Sequence, residues 1–103
     1  MLTETPIALQ QLAAGLLAGT IRATPYTDPK EVWAGDVVYR CSNGWQLTVF
    51  NDCGTWDYVS HFITPSGETI SWEDPDVGIF IHPVLSNMLL EEPHASRIFG
   101  SPA

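Results

Sequence analysis

Cys53, His61 and Asp57 supply the three residue types of a nucleophilic site: a thiol, an imidazole base and a carboxylate to orient it. Their spacing argues against that chemistry. Asp57 and His61 share one face of a predicted strand, about 13 Å apart at strand rise. A base and its orienter must lie about 2.6–3.2 Å apart. Cys53 has Asp52 and Asp57 as near neighbours, anions of the wrong sign to activate a nucleophile. It reads as a turn cysteine packed under a hairpin, and no catalytic residue is expected. Asp52, Asp57, His61, Glu73, Asp74, Asp76 and His82 could offer metal donors. No C-x-x-C, H-E-x-x-H or D-x-D-x-D-G spacing accompanies them, so the sequence predicts no metal and no cofactor.

Two other groups of residues point to binding. Glu68, Glu73, Asp74 and Asp76 form an acidic cluster, with Glu91 and Glu92 further along. Trp45, Trp56 and Trp72 lead a set of aromatics that includes Trp33, Tyr39, Tyr58 and Phe62. Most aromatics of a small sheet fill its core, and those left on an open face can anchor a partner. The chain of 103 residues carries four Lys+Arg against twelve Asp+Glu, a formal charge of −8. Phosphate backbones and anionic membranes are bound through cations that this chain lacks. A basic protein, or a nucleoprotein complex whose groove the acidic chain would fill, is the complementary partner. A second copy of the chain is the other occupant that an apolar sheet face would suit.

The elements that must position these residues are short. Thr5-Pro6 opens a helix, Leu9, Leu12, Ala13, Leu16 and Leu17 recur at helical spacing, and Gly19 ends it. Gly15 weakens that helix by about 1 kcal/mol relative to Ala. Thr20 to Lys30 reads as an extended connector, with a single turn at Asp28-Pro29-Lys30-Glu31. Val37–Ser42 and Trp45–Phe50 flank Asn43-Gly44, the dipeptide of type I′ hairpins, which places Ser42, Cys41 and Arg40 opposite Trp45, Gln46 and Leu47. Asn51-Asp52-Cys53-Gly54 turns into Thr55–Thr64, where Trp56, Tyr58, Ser60 and Phe62 alternate with Asp57, Val59, His61 and Ile63. Pro65-Ser66-Gly67 leads to a fourth strand, Glu68–Trp72. Val77–His82 reads as edge strand or packed coil. Pro83–Glu92 is a predicted helix with Val84, Leu85, Met88 and Leu89 as its apolar stripe. Residues 94–103 form a loose tail apart from Ile98 and Phe99. In this register Cys41 and Cys53 lie on the order of 23 Å apart, too far for a disulfide.

The run Gly44-Trp45-Gln46-Leu47-Thr48-Val49-Phe50-Asn51-Asp52-Cys53, continued by Asp57-Tyr58, resembles a family of small bacterial proteins of unknown function. Its core has the form G-W-x-L-x-x-F-N-D-C-x-x-x-D-Y, followed by a P-x-G turn matched by Pro65-Ser66-Gly67. The approach from Trp33 to Val37 and the N-terminal helix are similar too, so the likeness covers residues 5–70. It implies a shared fold and a bacterial or phage origin, and it carries over no catalytic residue.

The sequence therefore predicts one α+β domain over residues 1–103: an N-terminal helix, a four-stranded antiparallel meander and a short C-terminal helix, with the helices on one sheet face. No run of apolar residues is long enough to span a membrane, and no Lys or Arg precedes the apolar N-terminal stretch as in a secretory signal. A cytoplasmic location is expected. The expected function is that of a non-enzymatic inhibitor or regulator of a basic partner, of the immunity, antitoxin or anti-CRISPR kind. The alternative is a small-ligand or metal module at the turn end of the sheet, built from Trp45, Trp56, Asp52, Asp57 and His61.

Overall fold

The computed structural model describes residues 4–71 and 81–102. Helix α1 (Glu4–Ala18) precedes strands β1 (Ala23–Pro25), β2 (Ala34–Cys41), β3 (Gln46–Asp52), β4 (Trp56–Ile63) and β5 (Thr69–Ser71). Helices α2 (Ile81–Leu90) and α3 (His94–Phe99) follow. The fold is α+β, with five antiparallel strands paired in sequence order. The fifth strand is β1, in the segment expected to be a connector. Three residues suffice there because Ala23, Thr24 and Pro25 pair with Cys41, Arg40 and Tyr39, and Pro25 tolerates an edge. The expected turn at Pro29–Glu31 is a 3-10 turn capped by Asp28, whose carboxylate accepts the Lys30 N–H at 3.0 Å.

Leu9, Leu12, Ala13 and Leu16 form the buried stripe of α1 and pack with Leu85, Leu89, Ile98 and Phe99 on one face of the sheet. That face carries Val37 and Tyr39 from β2, Leu47 and Val49 from β3, and Val59 and Phe62 from β4. Gly19, at φ +84°, ends α1 and returns its N–H to the Leu16 carbonyl at 3.3 Å.

The first hairpin differs from the expected two-residue turn. Cys41 N–H donates to the Trp45 carbonyl at 2.7 Å and Gly44 N–H to the Cys41 carbonyl at 3.0 Å, so the loop is Ser42-Asn43-Gly44. Gly44 takes the left-handed position of a three-residue loop, φ +96°. The register slips by one: Tyr39, not Arg40, faces Leu47. This turns the Tyr39 ring into the core and leaves Arg40 outside. The type I′ geometry occurs one hairpin later, at Cys53-Gly54, where both φ values are positive, +53° and +86°.

Strand β4 departs from simple alternation. Thr48 pairs with His61 while Val49 pairs with Val59, and Phe50 pairs with Tyr58 while Asn51 pairs with Trp56. Ser60 and Asp57 are therefore extra residues, one in each of two bulges. Each extra residue resets the faces, so the inward set is Trp56, Val59 and Phe62. Tyr58 and Ser60, expected beside Trp56 and Phe62, leave that set, and Tyr58 is exposed. Val59 N–H, displaced from the ladder, donates to the Ser86 hydroxyl of α2 at 2.9 Å. That bond orients α2: Leu85, Ser86 and Leu89 are buried, whereas Val84 and Met88, expected in the stripe, are 56 % and 41 % exposed.

The C-terminal segment is not loose. Residues 94–99 form α3, and the chain beyond it is held by the sheet: Tyr39 donates to the Phe99 carbonyl and Trp56 Nε1 to the Gly100 carbonyl at 2.9 Å. Of the expected strand or coil at Val77–His82, Ile81 and His82 begin α2 and the remainder lies outside the described residues.

Gly15 is buried against Ile21: a Cβ there would lie 2.6 Å from Ile21 Cγ1 and 3.2 Å from Ile21 Cβ. Helix propensity alone predicts that Gly15→Ala gains about 1 kcal/mol. The packing predicts the opposite sign, a net loss of about 1–3 kcal/mol, since β-branched Ile21 has little freedom to retreat. Urea unfolding of the two proteins measures that sign.

Candidate functional site

The three described helices contribute their buried residues to one sheet face, and the other face carries a different chemistry. Its central row runs Asp36, Phe50 and Tyr58 across β2, β3 and β4. The Phe50 and Tyr58 rings stack at 5.3 Å with 23° between planes. Asp36 accepts from the Ser60 hydroxyl at 3.3 Å, so the bulge that displaces Ser60 also fixes this carboxylate. Asp52, paired with Ala34, stands one row nearer the turn, and Asp57 projects from the other bulge. All three carboxylates are exposed. The row on the far side holds Val38, Thr48 and His61, and beyond it Arg40 lies over the Tyr26 ring at 6.0 Å. Tyr26 is 57 % exposed; Trp33, 65 % exposed, precedes β2 and is not part of these rows. The result is an aromatic surface edged with unburied carboxylates.

The residues singled out in the sequence fall in several places. Glu68 is exposed in the β4–β5 turn, its N–H held by the Thr64 hydroxyl at 3.0 Å. Glu73, Asp74, Asp76 and Trp72 lie outside the described residues. Trp45 is 8 % exposed and belongs to the core cluster, so it offers no face to a partner. Trp56 is half-buried and occupied within the chain, edge-on to Tyr39 at 6.1 Å and to Phe99 at 6.2 Å. Alternation counted back from Val37 marks Asp36 as outward. Phe50 and Tyr58 become neighbours only through the bulge at Asp57, which no residue type announces.

Cys53, Asp57 and His61 are not brought together: Cys53 is exposed in the hairpin turn, and His61 pairs with Thr48 beyond both bulges. Both thiols are free, Cys41 buried and Cys53 exposed. Among the described residues no three His, Cys, Asp or Glu side chains converge as metal ligands, and no helix is long and apolar enough to cross a membrane. Comparison with protein-family models, with curated proteins and with solved structures finds no match to this chain.

Three outcomes follow from the cysteines. Cys53 holds φ +53°, a left-handed conformation that Asn adopts more readily. Cys53→Asn is expected to raise stability by about 0.5–1 kcal/mol in urea unfolding, and an unchanged or lowered value would mean that the thiol itself stabilises the turn.

Burial pushes the Cys41 thiol up to about 11, so the folded chain holds this proton more tightly than the unfolded one. Its contribution to stability is intact below the unfolded thiol's pKa, near 8.5, and is lost as pH rises from there toward about 11. Urea midpoints measured from about pH 8 to about pH 10 should fall, and fall less in Cys41→Val. A thiol reagent should label Cys53 at once and Cys41 only on unfolding.

Proposed function

We propose that this chain is a small, non-enzymatic interaction protein that binds a basic partner protein and inhibits or regulates it. The observation that carries the reading is the open sheet face, where the Phe50–Tyr58 stack lies among the exposed carboxylates of Asp36, Asp52 and Asp57. Arginine is the side chain that such a surface suits best, since its planar guanidinium stacks on aromatic rings and pairs with carboxylates at its edge. The net charge of −8 adds long-range attraction for a cationic surface. A β-sheet supplies these groups on a rigid scaffold, which lowers the ordering cost of association. Immunity proteins, antitoxins and phage inhibitors of host defence of the anti-CRISPR type are the biological classes with this combination of size, acidity and a stiff docking face.

The test is capture of basic proteins from a bacterial lysate at low and at moderate salt, with mass spectrometry of what is retained. A basic partner is expected on the native protein, released as salt rises. Reversing Asp36, Asp52 and Asp57 to Lys together should slow its association at least about tenfold, and Tyr58→Ala should speed its dissociation. Reversal of Glu73, Asp74 and Asp76 is the parallel variant for the second acidic cluster. Retention of the same partner by both charge-reversed proteins, insensitive to salt, would remove the proposal.

A further inference from the structure

The chain places two of its four cationic side chains in one groove. Arg22 and Arg97 line a half-open cavity of about 350 Å³ between the C-terminal end of α1, the start of β1, and α3. Leu16, Ile21, Ala23 and Ile98 make the rest of its wall, and none of the described residues lining it is acidic. Two arginines line this cavity and no described lining residue is acidic to offset them, so an anion there would meet unopposed positive charge.

Helix capping accounts for one arginine and leaves the other. Arg97 Nη2 donates to the Leu17 carbonyl at 2.6 Å, and both Nη atoms reach the Leu16 carbonyl at 3.5 Å. Those bonds neutralise the negative end of α1 and hold the guanidinium in place, and among the described residues none takes its remaining donors. Arg22 has no such task in α1. Its backbone is fixed on both sides by Ser42, N–H to the hydroxyl at 3.0 Å and carbonyl from the Ser42 N–H at 2.8 Å, and its side chain is exposed. The mouth is kept open by Gly19, whose φ of +84° excludes most side chains.

We infer that this groove binds a small organic carboxylate, its head between Arg22 and Arg97 and a short apolar tail against Leu16, Ile21 and Ile98. A carboxylate matches the planar fork of a guanidinium, and the volume lies at the lower end of ligand cavities. The site is on the helix side of the sheet and does not depend on the acidic open face.

The experiment is an NMR titration of the ¹⁵N-labelled protein with sodium hexanoate, with 1-hexanol and inorganic phosphate as parallel probes. Saturable shifts confined to the amides around Gly19, Ile21 and Ala23 are expected with hexanoate, and binding at least about tenfold weaker with either parallel probe. Arg22→Gln, an exposed change, should weaken hexanoate at least about tenfold with the spectrum otherwise native. Arg97→Lys keeps charge near the α1 carbonyls but loses the fork, and should weaken it too. Absence of saturable shifts, equal binding of hexanol or phosphate, or unchanged affinity in Arg22→Gln would overturn the assignment.

Discussion

The carboxamide of Asn51 is the point on which the separate pieces of this fold converge. It is fully buried, and its Oδ1 accepts the Gly54 N–H at 2.9 Å, closing the turn between β3 and β4. Its Nδ2 is shared among the carbonyls of Val32, Pro29 and Pro102, the last two at 3.3 Å. One side chain thus ties a hairpin turn, the 3-10 segment that leads into β2, and the end of the chain. Apolar burial can bring such segments together but cannot fix them relative to one another, because it is non-directional. Buried carbonyls need donors, and a donor placed among three of them specifies where each segment must lie. Tyr39 and Trp56 extend the same device to the Phe99 and Gly100 carbonyls. The C-terminal stretch, whose Ala95, Ile98 and Phe99 are buried, is fixed in place by these directional bonds as well as by its packing.

This also explains what was legible in the sequence and what was not. Helical spacing in α1 and the turn residues of both hairpins announce their elements, because each signal is local. The ordering of residues 94–102 depends on partners distant in sequence, the core that Ile98 and Phe99 join and the donors that arrive from β2, β3 and β4, so the local composition of that segment reads as loose. The register of the first hairpin is a closer case. Asn43-Gly44 satisfies a two-residue turn as readily as the end of a three-residue loop. The choice falls to the arrangement that puts Tyr39 inside and Arg40 outside, a matter of burial along the whole of β2. The left-handed pair at Cys53-Gly54 shows the converse, since cysteine is no signal for positive φ.

The double bulge in β4 links the fold to the open face. Without it, strict alternation would send Tyr58 inward beside Trp56 and leave Val59 outside. With it, Val59 joins the core, Tyr58 meets Phe50 across the ladder, and Ser60 is left beside Asp36. The cost is a backbone N–H removed from its strand partner, and the Ser86 hydroxyl of α2 meets that need from the helix side. A polar residue on the buried stripe of α2 is therefore part of how the aromatic stack on the opposite face is built. Bulges of this kind re-aim side chains, and here two of them aim an aromatic and a carboxylate toward solvent.

The placement of the few cations completes the separation of the two faces. Arg97 is bonded to the end of α1, Arg40 lies over Tyr26, and Arg22 is at the groove mouth beside α3. None of these three is directed at Asp36, Asp52 or Asp57. A chain with more carboxylates than cations could still have neutralised its open face by moving one arginine two positions along β2, from the Gln46 row toward Phe50. It instead holds that arginine on an aromatic ring, at the far side of the sheet from the acidic rows. Exposed carboxylates around apolar rings are stable in water as long as water reaches them, and they become costly when a neutral surface covers them. On the proposed reading, a cationic partner would meet this face without that penalty and a neutral or anionic one would incur it, so desolvation would contribute to selectivity alongside attraction.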